Sequence, residues 1–133
     1  MRKESSDEGS RWLMQAIADR DGAEILFEGG SFHLACFIAQ QVAEKALKAF
    51  LYSKGEQIVT GHSVETLAAW CSEYNPEFER LREEVAPLDG LYIPTRYPNG
   101  LPDSIPAKVF TRKSAIEALR LTDLVLEKVR NYL

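Results

Sequence analysis

The sequence predicts an all-α fold: an antiparallel up-and-down bundle of four to five helices with one long proline-rich loop before the last helix. Three observations lead there. Apolar residues recur at helical spacing along most of the chain, and Gly, Ser, Thr and Asn-Pro punctuation separates those stretches. No segment of useful length alternates with the period of a strand. The 133 residues form one domain, residues 1–133, long enough to bury its own core, and residues 1–9 read as a polar N-terminal tail.

The first helix is expected from near Ser10 to about Phe27. Leu13, Ala16, Ile17, Ala23 and Leu26 give it an interrupted apolar stripe, and Gly22 weakens it by up to ~1 kcal/mol. Gly29-Gly30 ends it. The second helix, about Ser31 to Lys54, is the most regular. Phe32, Ala35, Cys36, Ala39, Val42, Ala43, Ala46, Leu47 and Phe50 fall on one face, and Gly55 stops it. Its alanines permit close approach of a neighbour, so it belongs at the centre.

Ser63 caps a short third helix with Leu67, Trp70 and Cys71 inward. Asn75-Pro76 opens a fourth, carrying Phe78, Leu81, Val85 and Leu88, which Pro87 bends or ends. From Tyr92 to Phe110, Pro94, Pro98, Pro102 and Pro106 exclude helix, and Asn99-Gly100 marks a turn. Connections this long are uncommon in compact domains and are often functional. Thr111 caps a last helix bearing Ala115, Ala118, Leu119, Thr122, Val125, Leu126 and Val129.

Composition narrows the function classes. A net charge of -4 argues against a constitutive basic nucleic-acid surface, although sixteen Lys and Arg leave room for a local patch. Cys36 and Cys71 lack metal spacing and read as buried free thiols of a cytoplasmic protein. Met1 to Ser10 has no apolar core, so no signal peptide is expected. No apolar run reaches the ~20 residues that span a membrane. Two distant histidines offer no metal site, and neither a phosphate-binding Gly loop nor a nucleophile elbow occurs. No cofactor is expected.

Two segments carry the chemistry. On the second helix Gln41, Glu44, Lys45 and Lys48 fall at i, i+3, i+4 and i+7, a polar row flanked by Phe37 and Tyr52. It reads either as a second contact surface or as a solvated face with an ordinary Glu44–Lys48 pair. The loop Tyr92-Ile93-Pro94-Thr95-Arg96-Tyr97-Pro98 holds one Arg between two Tyr residues. Arg96 is suited to clamping a phosphate or carboxylate, with Tyr92 and Tyr97 stacking or hydrogen-bonding beside it. Alternatively, Arg96 anchors its own loop by pairing with Glu44. His62 is a candidate general base, or a residue that caps or packs at a helix entry. Asp19-Arg20-Asp21 reads as solvent-facing charge.

Cys36-Phe37-Ile38-Ala39-Gln40-Gln41-Val42-Ala43-Glu44-Lys45-Ala46-Leu47-Lys48, Gly61-His62-Ser63 opening a helix, and Tyr92 to Pro98 before a long final helix together resemble HEPN domains. The resemblance extends from Trp12 to the last helix. It implies a helical bundle that commonly dimerises, is associated with nucleotide binding, and often works beside a small nucleotidyltransferase in toxin–antitoxin-like pairs. Some members are metal-independent ribonucleases with an Arg, a four-to-six-residue spacer and a His. Here Arg96 is followed by Tyr97-Pro98-Asn99-Gly100-Leu101-Pro102-Asp103, so that catalytic pattern is missing. The resemblance carries over Gln41, Glu44, Lys48, His62, Tyr92, Arg96 and Tyr97 as a ligand or partner surface, and Lys45 adds charge to it. Arg96 and His62 remain the candidates for an unconventional ribonuclease. A dimerisation module, with the Gln41 to Lys48 row at the subunit seam, is the third reading.

Overall fold

A computed structural model describes residues 4–133, and all regular structure among them is helical. Six α-helices follow in order: α1 (Ser5–Glu28), α2 (Phe32–Ser53), α3 (Val64–Ser72), α4 (Glu77–Val85), α5 (Pro106–Val109) and α6 (Arg112–Arg130). Single 3-10 segments cover Ala86–Leu91 and Pro98–Gly100. No helix among the described residues is long and apolar enough to cross a membrane.

Several expected boundaries move. α1 begins at Ser5, inside the stretch read as a polar tail; residues 1–3 of that tail lie outside the described residues. Polar composition there hid Gly9, which is buried because it lets α1 approach α2. A Cβ added at Gly9 would lie 2.8 Å from both the Ala49 carbonyl oxygen and the Ser53 Cβ. The segment from Tyr92 to Phe110 is not free of helix. Pro106 starts the one-turn α5, where a first-turn proline has no N–H to lose. Ser31, expected to cap α2, makes no side-chain cap hydrogen bond, whereas the punctuation at Ser63, Thr111 and Asn75 acts as read. The Ser63 and Thr111 hydroxyls accept from the Thr66 and Ser114 amides, and Asn75 Oδ1 accepts from the Glu77 amide. Just before Pro87, α4 gives way to 3-10 geometry after Val85.

α2 is the central rod, packed against α1, α3, α5 and α6. Ala35, Ala39, Ala43 and Ala46 are fully buried, as are Leu47 and Phe50. α1 and α2 form an antiparallel hairpin, seen in Trp12 stacking on Tyr52 near one end and Phe27 meeting Phe32 at the other. α3 and α4 form a second, closed by Arg82 on Glu65. Two connections run back along the bundle. Residues 54–63 return so that α3 runs alongside α2 in the same direction, with Gln40 beside His62 and Leu47 beside Cys71. Residues 92–111 do the same for α6, whose Arg112 lies over Phe32 and whose following Tyr132 meets Phe50.

Cys36 and Cys71 are free and buried, and burial raises the Cys36 thiol to about 11 and Cys71 further in the same direction. Both are therefore held as neutral thiols.

Because Gly9 faces backbone rather than a flexible side chain, Gly9→Ala should force α1 from α2 and lower stability by about 1–3 kcal/mol. Urea denaturation measures this, and an unchanged midpoint would contradict the close approach.

Candidate functional site

The polar row of α2 is neither solvated nor open. Glu44 is 4% and Lys48 7% exposed, and the neighbouring Gln40 is fully buried. Burying such groups requires a partner for each of them. Lys48 Nζ lies 3.4 Å from Glu44 Oε2 and 5.9 Å from the Trp12 ring on α1. Lys45 pairs with Asp19 of α1, and Arg20 pairs with Asp123 and Glu24. Asp19 and Arg20 are thus cross-links between helices, a correction to the solvent-facing reading. Gln41 donates to Gln40 Oε1 (2.7 Å), and Gln40 donates to the His62 carbonyl (2.8 Å).

Those bonds aim the turn before α3. Gly61, at φ +103°, takes the left-handed conformation that glycine tolerates and swings the chain into His62 and Ser63. His62 Nδ1 lies 3.1 Å from Glu44 Oε1. A carboxylate facing an ammonium accepts, so the imidazole donates through Nδ1, and in its neutral form Nε2 is the acceptor. The His62 side chain is 60% exposed, which leaves that acceptor reachable.

The Tyr92–Pro98 loop comes to the same place. Tyr92 stacks on His62 with centroids 4.8 Å apart and planes 16° from parallel, and it also meets Phe37 at 6.3 Å. Arg96 does not pair with Glu44. Its Nε donates to the Tyr92 carbonyl (2.8 Å), while its guanidinium carbon sits 4.4, 4.6 and 5.2 Å from the rings of Phe37, Tyr92 and Tyr97. Among the described residues no carboxylate pairs with it. A cation on aromatic faces is held without being neutralised, and its remaining N–H groups can still bind an anion.

Asp89, a residue the sequence reading missed, locks the loop to α3. Its carboxylate accepts from Ser63 Oγ (2.6 Å) and from the amides of Val64 (2.6 Å) and Glu65 (3.3 Å). A negative group on the first turn of a helix is favoured by the exposed N–H groups and the helix dipole. Thr95, fully buried, fixes the loop from inside by donating to the Leu91 carbonyl. Gln40 was also missed as a site-builder. The only signal for it was a polar residue on the apolar side of α2.

Glu44, His62, Tyr92, Arg96 and Tyr97 therefore converge, with Phe37 beneath them. Gln41 supports this group through Gln40, whereas Lys45 and Lys48 are engaged toward α1. Three surface clefts lie elsewhere: between α1 and α6, along α1 beside Lys45, and between α4 and α6. Among the described residues no group of His, Cys, Asp and Glu could hold a metal ion.

The helical bundle presents Arg96, stacked on aromatic rings, next to an exposed His62 that is held by the buried Glu44. The chain belongs to the HEPN family: the family model described as HEPN domain matches residues 10–132. It is similar to TT1696 from Thermus thermophilus, with 38% identity and a TM-score of 0.84 over 95% of this chain and 98% of that one. It is also similar to ST0689, an archaeal HEPN homologue, with 29% identity and a TM-score of 0.68 over 98% of each chain. No curated protein matches the chain.

Glu44 is what makes the buried Lys48 tolerable. Glu44→Leu should cost about 3 kcal/mol by stranding that ammonium, and Glu44→Leu combined with Lys48→Met should regain most of it. Equal denaturation midpoints for the single and double variants would contradict this.

Proposed function

We propose that this chain is a cytoplasmic HEPN-type nucleotide-binding module, acting as a homodimer beside a small nucleotidyltransferase in a toxin–antitoxin-like pair. The observation that carries the nucleotide reading is the seat of Arg96. Its guanidinium lies on the rings of Phe37, Tyr92 and Tyr97 and faces no carboxylate among the described residues. A planar cation in that state suits a phosphate, and the half-exposed Tyr97 beside it suits a base or ribose. The partnership and the dimer rest on the family association.

Calorimetry with ATP, GTP and a short RNA tests the binding step. Wild-type protein should release heat with at least one of them. Arg96→Ala should weaken that binding by about tenfold or more, equivalent to ~1.4 kcal/mol, and Arg96→Lys should not restore it because the planar fork is lost. No heat with any ligand, or equal affinity in Arg96→Ala, would remove the nucleotide reading.

A metal-independent ribonuclease is the second reading, favoured by the 3.1 Å contact that orients His62 on Glu44. Its Nε2 is then a reachable general base, with Arg96 on the same Tyr92 ring. The binding reading expects RNA to stay intact with excess protein and a chelator. Cleavage that survives chelation and falls by about a hundredfold in His62→Ala would replace it with the enzyme reading.

A further inference from the structure

Among the described residues, the outer face of α1 is an unpartnered helix surface with an unusual order. Arg11, Met14, Ala18, Asp21, Ile25 and Glu28 are all exposed, and they follow one another at alternating steps of three and four. That spacing keeps them on a single seam along the helix. Met14 and Ile25 are 70% and 71% exposed, the largest values among the bulky apolar residues of α1. Ala18 lies between them, and at the adjacent Gly22 an added Cβ would meet nothing within 4 Å. The middle of the seam is thus low, with a bulky apolar side chain to either side.

The seam is also complementary to itself when reversed. Turning α1 end for end about the point between Asp19 and Arg20 exchanges position 11 with 28, 14 with 25 and 18 with 21. An antiparallel second copy therefore sets Arg11 against Glu28, Met14 against Ile25, and Ala18 beside Asp21, each twice about the two-fold axis. This is the pattern of an isologous contact, where one patch must serve both sides. Opposite charges close both ends, apolar pairs lie inside them, and at the centre the small Ala18 faces the exposed Asp21.

The surroundings suit helix docking. Seam residues form ridges that wall two clefts, Arg11, Met14 and Ala18 the first and Asp21 the second. One, of about 600 Å³, is lined by Trp12, Met14, Ala18 and Lys45 among others, and the other, of about 630 Å³, lies toward α6. Helices pack by setting such ridges into grooves. Arg11 lies 3.4 Å from Glu8 in its own helix, but with 63% of its side chain exposed that contact is readily exchanged. In the polar row of α2, the other surface considered for a subunit seam, Lys45 and Lys48 are engaged with α1 and Glu44 with His62.

We infer that the α1 face from Arg11 to Glu28 is the surface through which a second copy of this chain docks, antiparallel about a two-fold axis at Asp19–Arg20. The inference rests on the homodimer reading and adds the register.

Light scattering across a dilution series of the full chain tests both separately. Wild-type protein should be a dimer at high concentration. Arg11→Glu and Glu28→Arg should each weaken it by about tenfold, and the two together should restore it, because each reversed charge again faces its opposite. Met14→Cys with Ile25→Cys should form a covalent dimer under mild oxidation. Met14→Cys alone should not, since two copies of position 14 would lie about 16 Å apart along the axis. The buried Cys36 and Cys71 leave that readout clean. A dimer that is indifferent to the charge reversals, and in which the doubly substituted chain forms no cross-link between positions 14 and 25, overturns the seam and leaves the homodimer. A wild-type monomer at every concentration overturns both.

Discussion

The structure depends on one constraint: the central helix carries Gln40, Glu44 and Lys48 into the interior, and each must find a partner there. Leaving one such group unsatisfied would cost about as much as several ordinary contacts supply. The solution uses separate parts of the chain. α1 covers Lys48 with Trp12 and holds Lys45 with Asp19. The crossover before α3 gives Gln40 a carbonyl and Glu44 an imidazole. The candidate site is a by-product of that accounting, since the groups that satisfy Glu44 are the ones left at the surface.

A second device makes the arrangement rigid. Asp89 holds the first turn of α3 by three bonds, and it sits three residues before Tyr92. Fixing Asp89 therefore also fixes the start of the loop that carries Arg96. Tyr92 then stacks on His62, its carbonyl takes the Arg96 Nε, and Phe37 of α2 supplies a ring below the guanidinium. The arginine is positioned by π faces and one carbonyl. A carboxylate would have positioned it as well, but would have cancelled the charge.

The same economy explains why α1 has two characters. Its inner side is tied to α2 through Gly9, Ala16 and Ala23, which are small and buried, and this draws two long helices together. Its outer side keeps Met14 and Ile25 in solvent. Exposed bulky apolar residues about three turns apart on one line are not needed by the monomer core. They are the residues to account for by association.

The helices were legible because local physics writes them. Ser63 and Thr111 cap where hydroxyls before helical runs should, Pro87 ends α4, and the alanine face of α2 marks the centre of the bundle. The HEPN resemblance was legible for the same reason, since its motifs are short and contiguous. Pro106 misled because proline forbids the helix interior but suits its first turn. The polar start of α1 misled because burial of Gly9 is set by the far end of the next helix. Only tertiary structure decided that Arg96 rests on rings instead of Glu44, that Glu44 turns to His62, and that Asp89 caps a helix start 24 to 26 residues before it in the chain. Side-chain pairing across such separations depends on how two crossover segments return along the bundle, and no spacing in the sequence encodes that path.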